Sequence, residues 1–84
     1  MEYKVIIKSS AQRDLDKLPN KEVSRIIRRI SQLKNNPRPV GVQKLTDKEG
    51  YRIRTGNYRF LFEIDDKNKE VSVYRIKHRK EAYK

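Results

Sequence analysis

The spacing of apolar positions changes along the chain, and its first part predicts a strand followed by a helix. The segment 3–8 contains the run Val5-Ile6-Ile7, which indicates a first strand. A helix follows, with a capping box formed by Ser9 as N-cap and Gln12 at the third helical position. We expect this helix to end at Pro19, because proline disfavours helical geometry in the residue before it. Its apolar side carries Ala11, Leu15 and Leu18.

A second apolar stripe at helical spacing predicts a second helix. Asn20 is expected to cap it, and Glu22 places a negative charge in its first turn. The segment Asn35-Asn36-Pro37 ends it. The stripe consists of Val23, Ile26, Ile27, Ile30 and Leu33. The two helices, joined at Pro19-Asn20, form a helical hairpin whose stripe can pack on a sheet.

The second half of the chain has the pattern of strands separated by short turns. We predict a short strand at 42–46, a turn at 47–50, a hairpin at 51–64 and a last strand at 70–77. Consecutive strands joined by short turns run antiparallel. The expected fold is therefore α+β with two layers, β-α-α-β-β-β(-β), in one domain spanning residues 1–84. Its sheet is mostly antiparallel, and the helical hairpin packs on one face.

The hairpin at 51–64 has the clearest pattern in the sequence. Gly56-Asn57 readily takes the positive φ angles of a two-residue turn, and so short a loop fixes the strand register. The predicted pairs are Thr55–Tyr58, Arg54–Arg59, Ile53–Phe60, Arg52–Leu61 and Tyr51–Phe62. The face expected to be buried carries Tyr51, Ile53, Thr55, Tyr58, Phe60, Phe62 and Ile64. The other face carries Arg52, Arg54, Arg59, Leu61 and Glu63.

The three arginines of this second face, Arg52, Arg54 and Arg59, indicate an anionic ligand. Like charges on neighbouring strands cost stability, so folding alone does not account for them. Arginine is permanently charged, and its planar fork of donors suits phosphate oxygens. The alternative is an ordinary solvated sheet face, and the pattern alone leaves it open.

Composition favours a nucleic-acid partner and excludes several kinds of site. The chain has 84 residues, of which 39% are charged, and a net charge of +11. Such an excess is typical of proteins that bind polyanions. There is no cysteine and only one histidine, so neither a thiolate metal site nor a disulfide is available. Without a membrane-spanning run or a signal-peptide pattern, we expect a cytoplasmic protein with no cofactor and no membrane partner.

Residues near the end of the chain offer acid–base chemistry. Histidine is a natural general acid or base near neutral pH, which makes His78 a candidate. Nearby arginines such as Arg79 would favour the phenolate form of Tyr83. With the arginine face, this set suffices for RNA cleavage, because arginines can stabilise the charged phosphorane while acid and base move protons. The alternative is a solvated basic tail with a surface histidine and a tyrosine that packs the tail down.

Several segments, taken in order, match a known pattern. They are Ser9-Ser10-Ala11-Gln12-Arg13-Asp14-Leu15-Asp16-Lys17-Leu18-Pro19, Asn36-Pro37-Arg38-Pro39, Lys44-Leu45, Tyr51-Arg52-Ile53-Arg54-Thr55-Gly56-Asn57-Tyr58-Arg59, Glu63-Ile64-Asp65-Asp66 and Ile76-Lys77-His78-Arg79-Lys80-Glu81-Ala82-Tyr83. Over nearly its whole length the chain resembles the RelE family of toxins, within the RelE/ParE superfamily. The resemblance implies a toxin that enters the ribosomal A site and cuts mRNA without a metal, by attack of the 2′-hydroxyl. It also implies a RelB-like antitoxin that wraps and neutralises the toxin.

The resemblance assigns roles to single residues. Arg59 and Arg79 match the arginines that hold the scissile phosphate, and Tyr83 matches a tyrosine with an acid–base or base-stacking role. Arg52 and Arg54 stand where the best-known members have lysines, one of which has been proposed as the proton acceptor. Arginine stays protonated and cannot take that role. The resemblance therefore implies that Arg52 and Arg54 bind phosphate, and we expect another residue to be the general base.

Two questions stay open after the resemblance is taken into account. The general base is either Tyr83 or His78. The function is either mRNA cleavage, inhibition of DNA gyrase as in the ParE branch, or RNA binding by an inactive relative. For the ribosome-bound toxin we predict that Arg25, Arg28 and Arg29 on the second helix hold ribosomal RNA, against the alternative of a solvated helix face.

Overall fold

The computed structural model describes residues 2–45 and 50–78. Within these ranges the chain forms one strand, two helices and four further strands. The elements are β1 (Lys4–Ile7), α1 (Ser9–Asp16), α2 (Asn20–Ser31), a 3₁₀ turn (Gln32–Lys34), β2 (Gln43–Lys44), β3 (Tyr51–Thr55), β4 (Tyr58–Asp65) and β5 (Glu70–His78). The predicted order is confirmed, although β2 is shorter than the strand predicted at 42–46. Most of the turn predicted at 47–50 lies outside the described residues.

The described strands form one sheet in the order β1-β5-β4-β3-β2. The pairs from β5 to β2 are antiparallel, and β1 runs parallel to β5. The helices carry the chain from β1 at one edge to β2 at the other. Short turns then lead back through β3 and β4 to β5, which confirms the predicted mostly antiparallel α+β sheet.

The apolar sides of the helices and one face of the sheet bury each other. The buried apolar residues are Ala11, Leu15, Ile26, Ile30, Leu33, Ile53, Phe60, Phe62, Val71, Val73 and Ile76. The stripe predicted for α2 therefore faces the sheet, with Val23 and Ile27 half-buried at its margins. We call the opposite side of the sheet the open face.

The β3–β4 hairpin has the predicted register, with Thr55 opposite Tyr58 and Arg54 opposite Arg59. Gly56 has a φ of 62°, a left-handed conformation that glycine adopts without steric cost. The buried members of the predicted core face are Ile53, Thr55, Phe60 and Phe62. Its remaining members, Tyr51, Tyr58 and Ile64, are half-buried.

Both predicted helix caps are wrong. The cap of α1 is Lys8, whose carbonyl accepts a 2.9 Å hydrogen bond from the Gln12 amide, so Ser9 is already helical. The Gln12 side chain turns forward and donates to Asp16 at 3.0 Å. Pro19 likewise precedes α2 as its cap, and Asn20 is the first helical residue. The helix α1 also ends at Asp16, before the predicted stop at Pro19.

Helix α1 covers the edge of β5 beyond the point where β1 ends. The last pair of β1 and β5 is Ile7 with Val73. Past it, the Ser10 hydroxyl donates to the Tyr74 carbonyl at 2.6 Å. The Asp14 carboxylate accepts from the Ile76 amide at 2.9 Å. These side chains replace a strand partner and fix the last third of β5.

A bulge in β5 changes the face on which its later side chains lie. The pairs with β4 are Phe62–Val73, Leu61–Arg75, Phe60–Ile76, Arg59–Lys77 and Tyr58–His78. Tyr74 is therefore an extra residue without a direct partner, and alternation is reversed after it. As a result Ile76 is buried, whereas Lys77 lies on the open face.

Candidate functional site

The structure brings the three predicted phosphate-binding arginines together on the open face. Arg52, Arg54 and Arg59 line one shallow cavity of about 230 Å³, together with Gly41 and Gln43. Arg54 is exposed, and Arg52 and Arg59 are half-buried. The two-residue turn at Gly56-Asn57 produces this arrangement, because it sets Arg54 directly opposite Arg59.

A third cation extends this pair into a row across three strands. Arg54 lies directly opposite Arg59 on the neighbouring strand, and Arg59 lies directly opposite Lys77 on the strand after that. Neighbouring strands lie about 4.8 Å apart, so the row spans roughly 10 Å. Among the described residues, neither Arg54 nor Lys77 forms an ion pair. Sequence reasoning missed Lys77, because its position depends on the bulge in β5.

Two further arginines of the sheet have defined partners. Arg52 donates from Nε to the amide oxygen of Gln43 at 2.9 Å. This neutral partner orients the guanidinium and leaves its charge available. Arg75 donates from Nε to the Asp14 carboxylate at 2.9 Å, so its charge is offset at the sheet edge.

His78 lies on the other side of the sheet from the arginines. It is the last residue of β5 and pairs with Tyr58, on the face buried by the helices. The two rings meet edge to face, with centroids 5.1 Å apart and planes at 90°. The imidazole is half-buried at the rim of the sheet. Two other predicted site residues lie outside the described residues, namely Arg79, expected to bind phosphate, and Tyr83, expected to transfer a proton.

The basic residues predicted on α2 differ in their surroundings. Arg25 and Arg28 are exposed. A Cβ added to Gly56 would meet Arg25 Nη1 at 3.1 Å, so the Arg25 side chain lies against the hairpin turn. Arg29 instead donates to the Gln32 amide oxygen at 2.7 Å and to the Val40 carbonyl at 3.4 Å. Positive charge therefore continues from the open face around the turn to α2.

The opposite end of the open face is acidic. A cavity of about 570 Å³ is lined by Glu63, Asp65, Asp66 and Glu70, together with Lys44, Gly50, Tyr51, Ile64 and Ser72. Glu63 follows Arg59 and Leu61 along the open face of β4 and is exposed. The sheet therefore has a cationic end at the hairpin turn and an anionic end far from it.

An ion pair holds the loop before β2 to this acidic end. Arg38 donates to both carboxylate oxygens of Asp66, at 3.2 and 2.8 Å, and stacks over the Tyr51 ring at 5.4 Å. Tyr3 donates to the same carboxylate at 2.7 Å. The bonds from Arg38 and Tyr3 stabilise the anion and lower the pKa of Asp66 to about 2. The same contact raises the pKa of Arg38.

Residues 2–45 and 50–78 contain neither a cluster of metal-binding side chains nor a membrane-spanning helix. No group of three or more His, Cys, Asp or Glu side chains there could hold a metal ion. Neither of the helices found in that part of the chain is long and apolar enough to cross a membrane.

Comparison with known proteins places this fold and charge pattern in a family. The family model described as ParE toxin of type II toxin–antitoxin system, parDE, matches residues 5–83. Toxin RelE of Mycobacterium tuberculosis is 34% identical over 84 residues, which cover 98% of this chain and 87% of that protein. Toxin RelG of the same organism is 33% identical over 86 residues, covering 100% of this chain and 99% of the relative.

Solved structures share the fold. The toxin in the RelBE2 toxin–antitoxin complex of Mycobacterium tuberculosis has a TM-score of 0.84 and 29% identity, with 94% of this chain and 100% of that chain covered. The archaeal RelE–RelB complex of Pyrococcus horikoshii has a chain with a TM-score of 0.80 and 26% identity, covering 94% and 97% of the two chains. This chain therefore belongs to the ParE toxin family of type II toxin–antitoxin systems, within the RelE/ParE superfamily.

Proposed function

We propose that this toxin is a ribosome-dependent endoribonuclease that cuts mRNA in the ribosomal A site. The observation that carries the proposal is the arginine cluster on the open face. Arg52, Arg54 and Arg59 line one cavity and lie opposite the helices, where an RNA backbone can reach them. The curated relatives named RelE and RelG support the same branch of the superfamily.

The proposed reaction needs only the chain's own side chains. A general base takes the proton of the 2′-hydroxyl, and the resulting oxygen attacks the adjacent phosphorus. Arg59 and Arg79 stabilise the extra negative charge of the phosphorane. The bond from phosphorus to the 5′-oxygen breaks, and a general acid protonates that oxygen. The products are a 2′,3′-cyclic phosphate and a 5′-hydroxyl.

Arg52 and Arg54 bind phosphate in this scheme and transfer no proton, because a guanidinium keeps its protons in proteins. Tyr83 and His78 are the two candidates for acid and base. His78 meets Tyr58 on the helix side of the sheet, so it would act from the rim of the cluster. We propose Tyr83 as the main proton-transfer residue. His78 either supplies the second proton-transfer group or takes the place of Tyr83.

The proposed macromolecular partners follow from the charge distribution. Ribosomal RNA would contact Arg25, Arg28 and Arg29, and the neutral partners Gln32 and Val40 orient the Arg29 guanidinium without offsetting its charge. We also propose a cognate RelB-like antitoxin, since the Mycobacterium tuberculosis and Pyrococcus horikoshii structures of the same fold are toxin–antitoxin complexes. A partly acidic peptide would complement the net charge of +11. The proposed compartment is the cytoplasm, where ribosomes and mRNA are found.

Primer extension on mRNA in a reconstituted translation reaction tests the proposal. Purified toxin should produce 5′ ends inside codons at the A site, and only when ribosomes are present. The new ends should carry a 5′-hydroxyl, shown by labelling with polynucleotide kinase without prior phosphatase. Uniform cutting of naked RNA, or 5′-phosphate ends, would contradict the proposed mechanism.

Inhibition of DNA gyrase is the second candidate, favoured by the ParE description of the matching family model. A supercoiling assay with purified gyrase distinguishes the two functions. Intact mRNA on ribosomes together with blocked supercoiling would replace the first proposal with this one. RNA binding without either activity would identify an inactive relative.

A further inference from the structure

Lys77 is the one member of the open-face row that neither the sequence pattern nor the family resemblance singled out. It lies opposite Arg59, which in turn lies opposite Arg54, so three cations stand side by side on β3, β4 and β5. Lys77 is half-buried, and among the described residues it forms no ion pair. A like charge directly opposite Arg59 costs stability, and a bound anion that contacts Lys77 offsets this cost.

The charge pattern also sets the direction in which a polyanion can cross the sheet. Along β4 the open face changes from Arg59 to Leu61 and then to the exposed Glu63. Beyond Glu63 lies the acidic cavity with Asp65 and Glu70. A phosphate chain running along the strands would leave the cations for this anionic end. A chain running across the strands stays on the row from Arg54 to Lys77.

We propose that Lys77 is a further phosphate-binding residue, and that the RNA backbone crosses β3, β4 and β5 along the row Arg54–Arg59–Lys77. This inference rests on the proposed function for the identity of the ligand as RNA. The row spans roughly 10 Å, so its two ends contact different phosphates of one strand. Lys77 binds as a point charge, without the bidentate geometry of its arginine neighbours.

Binding to a short single-stranded RNA with 2′-O-methyl groups tests the contact separately from cleavage, since this probe has no free 2′-hydroxyl. Affinity is measured by fluorescence anisotropy over a series of salt concentrations for wild type, Lys77→Ala, Lys77→Arg and Lys67→Ala. Lys67 is the matched control, an exposed lysine in the β4–β5 turn at the acidic end of the sheet. All four proteins are compared at equal folded fraction, checked by circular dichroism.

A plot of log affinity against log salt concentration has a negative slope. For single-stranded nucleic acid, loss of one phosphate contact makes this slope shallower by about 0.7. Among the three variants, we expect only Lys77→Ala to show this change in slope, together with a several-fold weaker affinity at low salt. Lys77→Arg should keep the wild-type slope. If Lys77→Ala gives the same slope and affinity as Lys67→Ala, the inference is wrong.

Cleavage of mRNA on ribosomes, measured in parallel, separates this inference from the proposed function. Wild-type cleavage that Lys77→Ala slows, with the change in salt slope, supports both. Wild-type cleavage with no effect of Lys77→Ala on slope or rate overturns the inference alone. A wild type that binds the probe with the expected Lys77 dependence but never cuts mRNA overturns the proposed function alone. A wild type that neither binds nor cuts overturns both.

Discussion

Asp14 is predicted to hold the end of β5 in place, and its removal should destabilise the protein strongly. Its side chain is 18% exposed, and its Oδ2 accepts both from the Ile76 amide and from Arg75 Nε, each at 2.9 Å. Asp14→Ala leaves the Ile76 amide without its acceptor and Arg75 without its anion. A hydrogen bond to a charged group contributes about 1.5–3 kcal/mol, and an exposed ion pair adds less than about 1 kcal/mol.

We therefore expect Asp14→Ala to lower the free energy of unfolding by about 2–3 kcal/mol. For a domain of this size that corresponds to a fall in Tm of about 10–20 °C. Asp14→Asn should cost about half as much, because its amide oxygen can still accept from Ile76. Asp16→Ala is the matched control in the same helix, since Asp16 is exposed and accepts only from Gln12 at 3.0 Å among the described residues.

Urea unfolding followed by far-UV circular dichroism measures these differences, with constant m-values as the check on two-state behaviour. The contact holds β5 if the variants rank in the order Asp16→Ala, Asp14→Asn, Asp14→Ala from most to least stable. An Asp14→Ala protein as stable as Asp16→Ala would show that the Asp14 contacts do not hold β5 in place. This role of Asp14 was not predictable from the sequence, because the contact joins positions 62 residues apart.

Two smaller predictions concern stability. Thr55 is buried, and its Oγ1 has no hydrogen-bond partner among the described residues, so Thr55→Val should stabilise the fold by about 1 kcal/mol in the same urea assay; a loss of stability would show that the hydroxyl is satisfied. The lowered pKa of Asp66 means that its bond to Arg38 contributes stability above the ordinary pKa of 3.8, and that this contribution is lost as pH falls towards about 2. Asp66→Asn should therefore lose less Tm than wild type over this acid range. Thermal melts measure this, and an equal dependence of Tm on pH in the two proteins would show that the Asp66–Arg38 bond does not contribute this stability.

The parts of the fold that depend on local geometry were predictable from sequence. The register of the β3–β4 hairpin follows from the two-residue turn at Gly56-Asn57, which needs no information from elsewhere in the chain. The arginine face follows from that register. The stripe of α2 was likewise readable, because helical spacing alone determines which residues share a side.

Features that depend on contacts between distant segments were not predictable. Simple alternation from Val71 and Val73 would place Lys77 on the buried face, and only the extra residue Tyr74 reverses this. The same reversal puts His78 beside Tyr58 and away from the arginines. The predicted helix caps were wrong because the cap positions are occupied by Lys8 and Pro19. Neither has a capping side chain, and their backbone carbonyls accept the first hydrogen bonds of the helices.

We propose that the open face binds the scissile phosphate, and the cleavage rate of Arg59→Ala is the decisive measurement. The measurement is a single-turnover rate on programmed ribosomes, for wild type and for Arg59→Ala shown by circular dichroism to be folded. Removal of one preorganised group that stabilises transition-state charge costs about 100–1,000-fold in rate, and we expect a loss of this size for Arg59→Ala. A folded Arg59→Ala protein that cuts at the wild-type rate would contradict it.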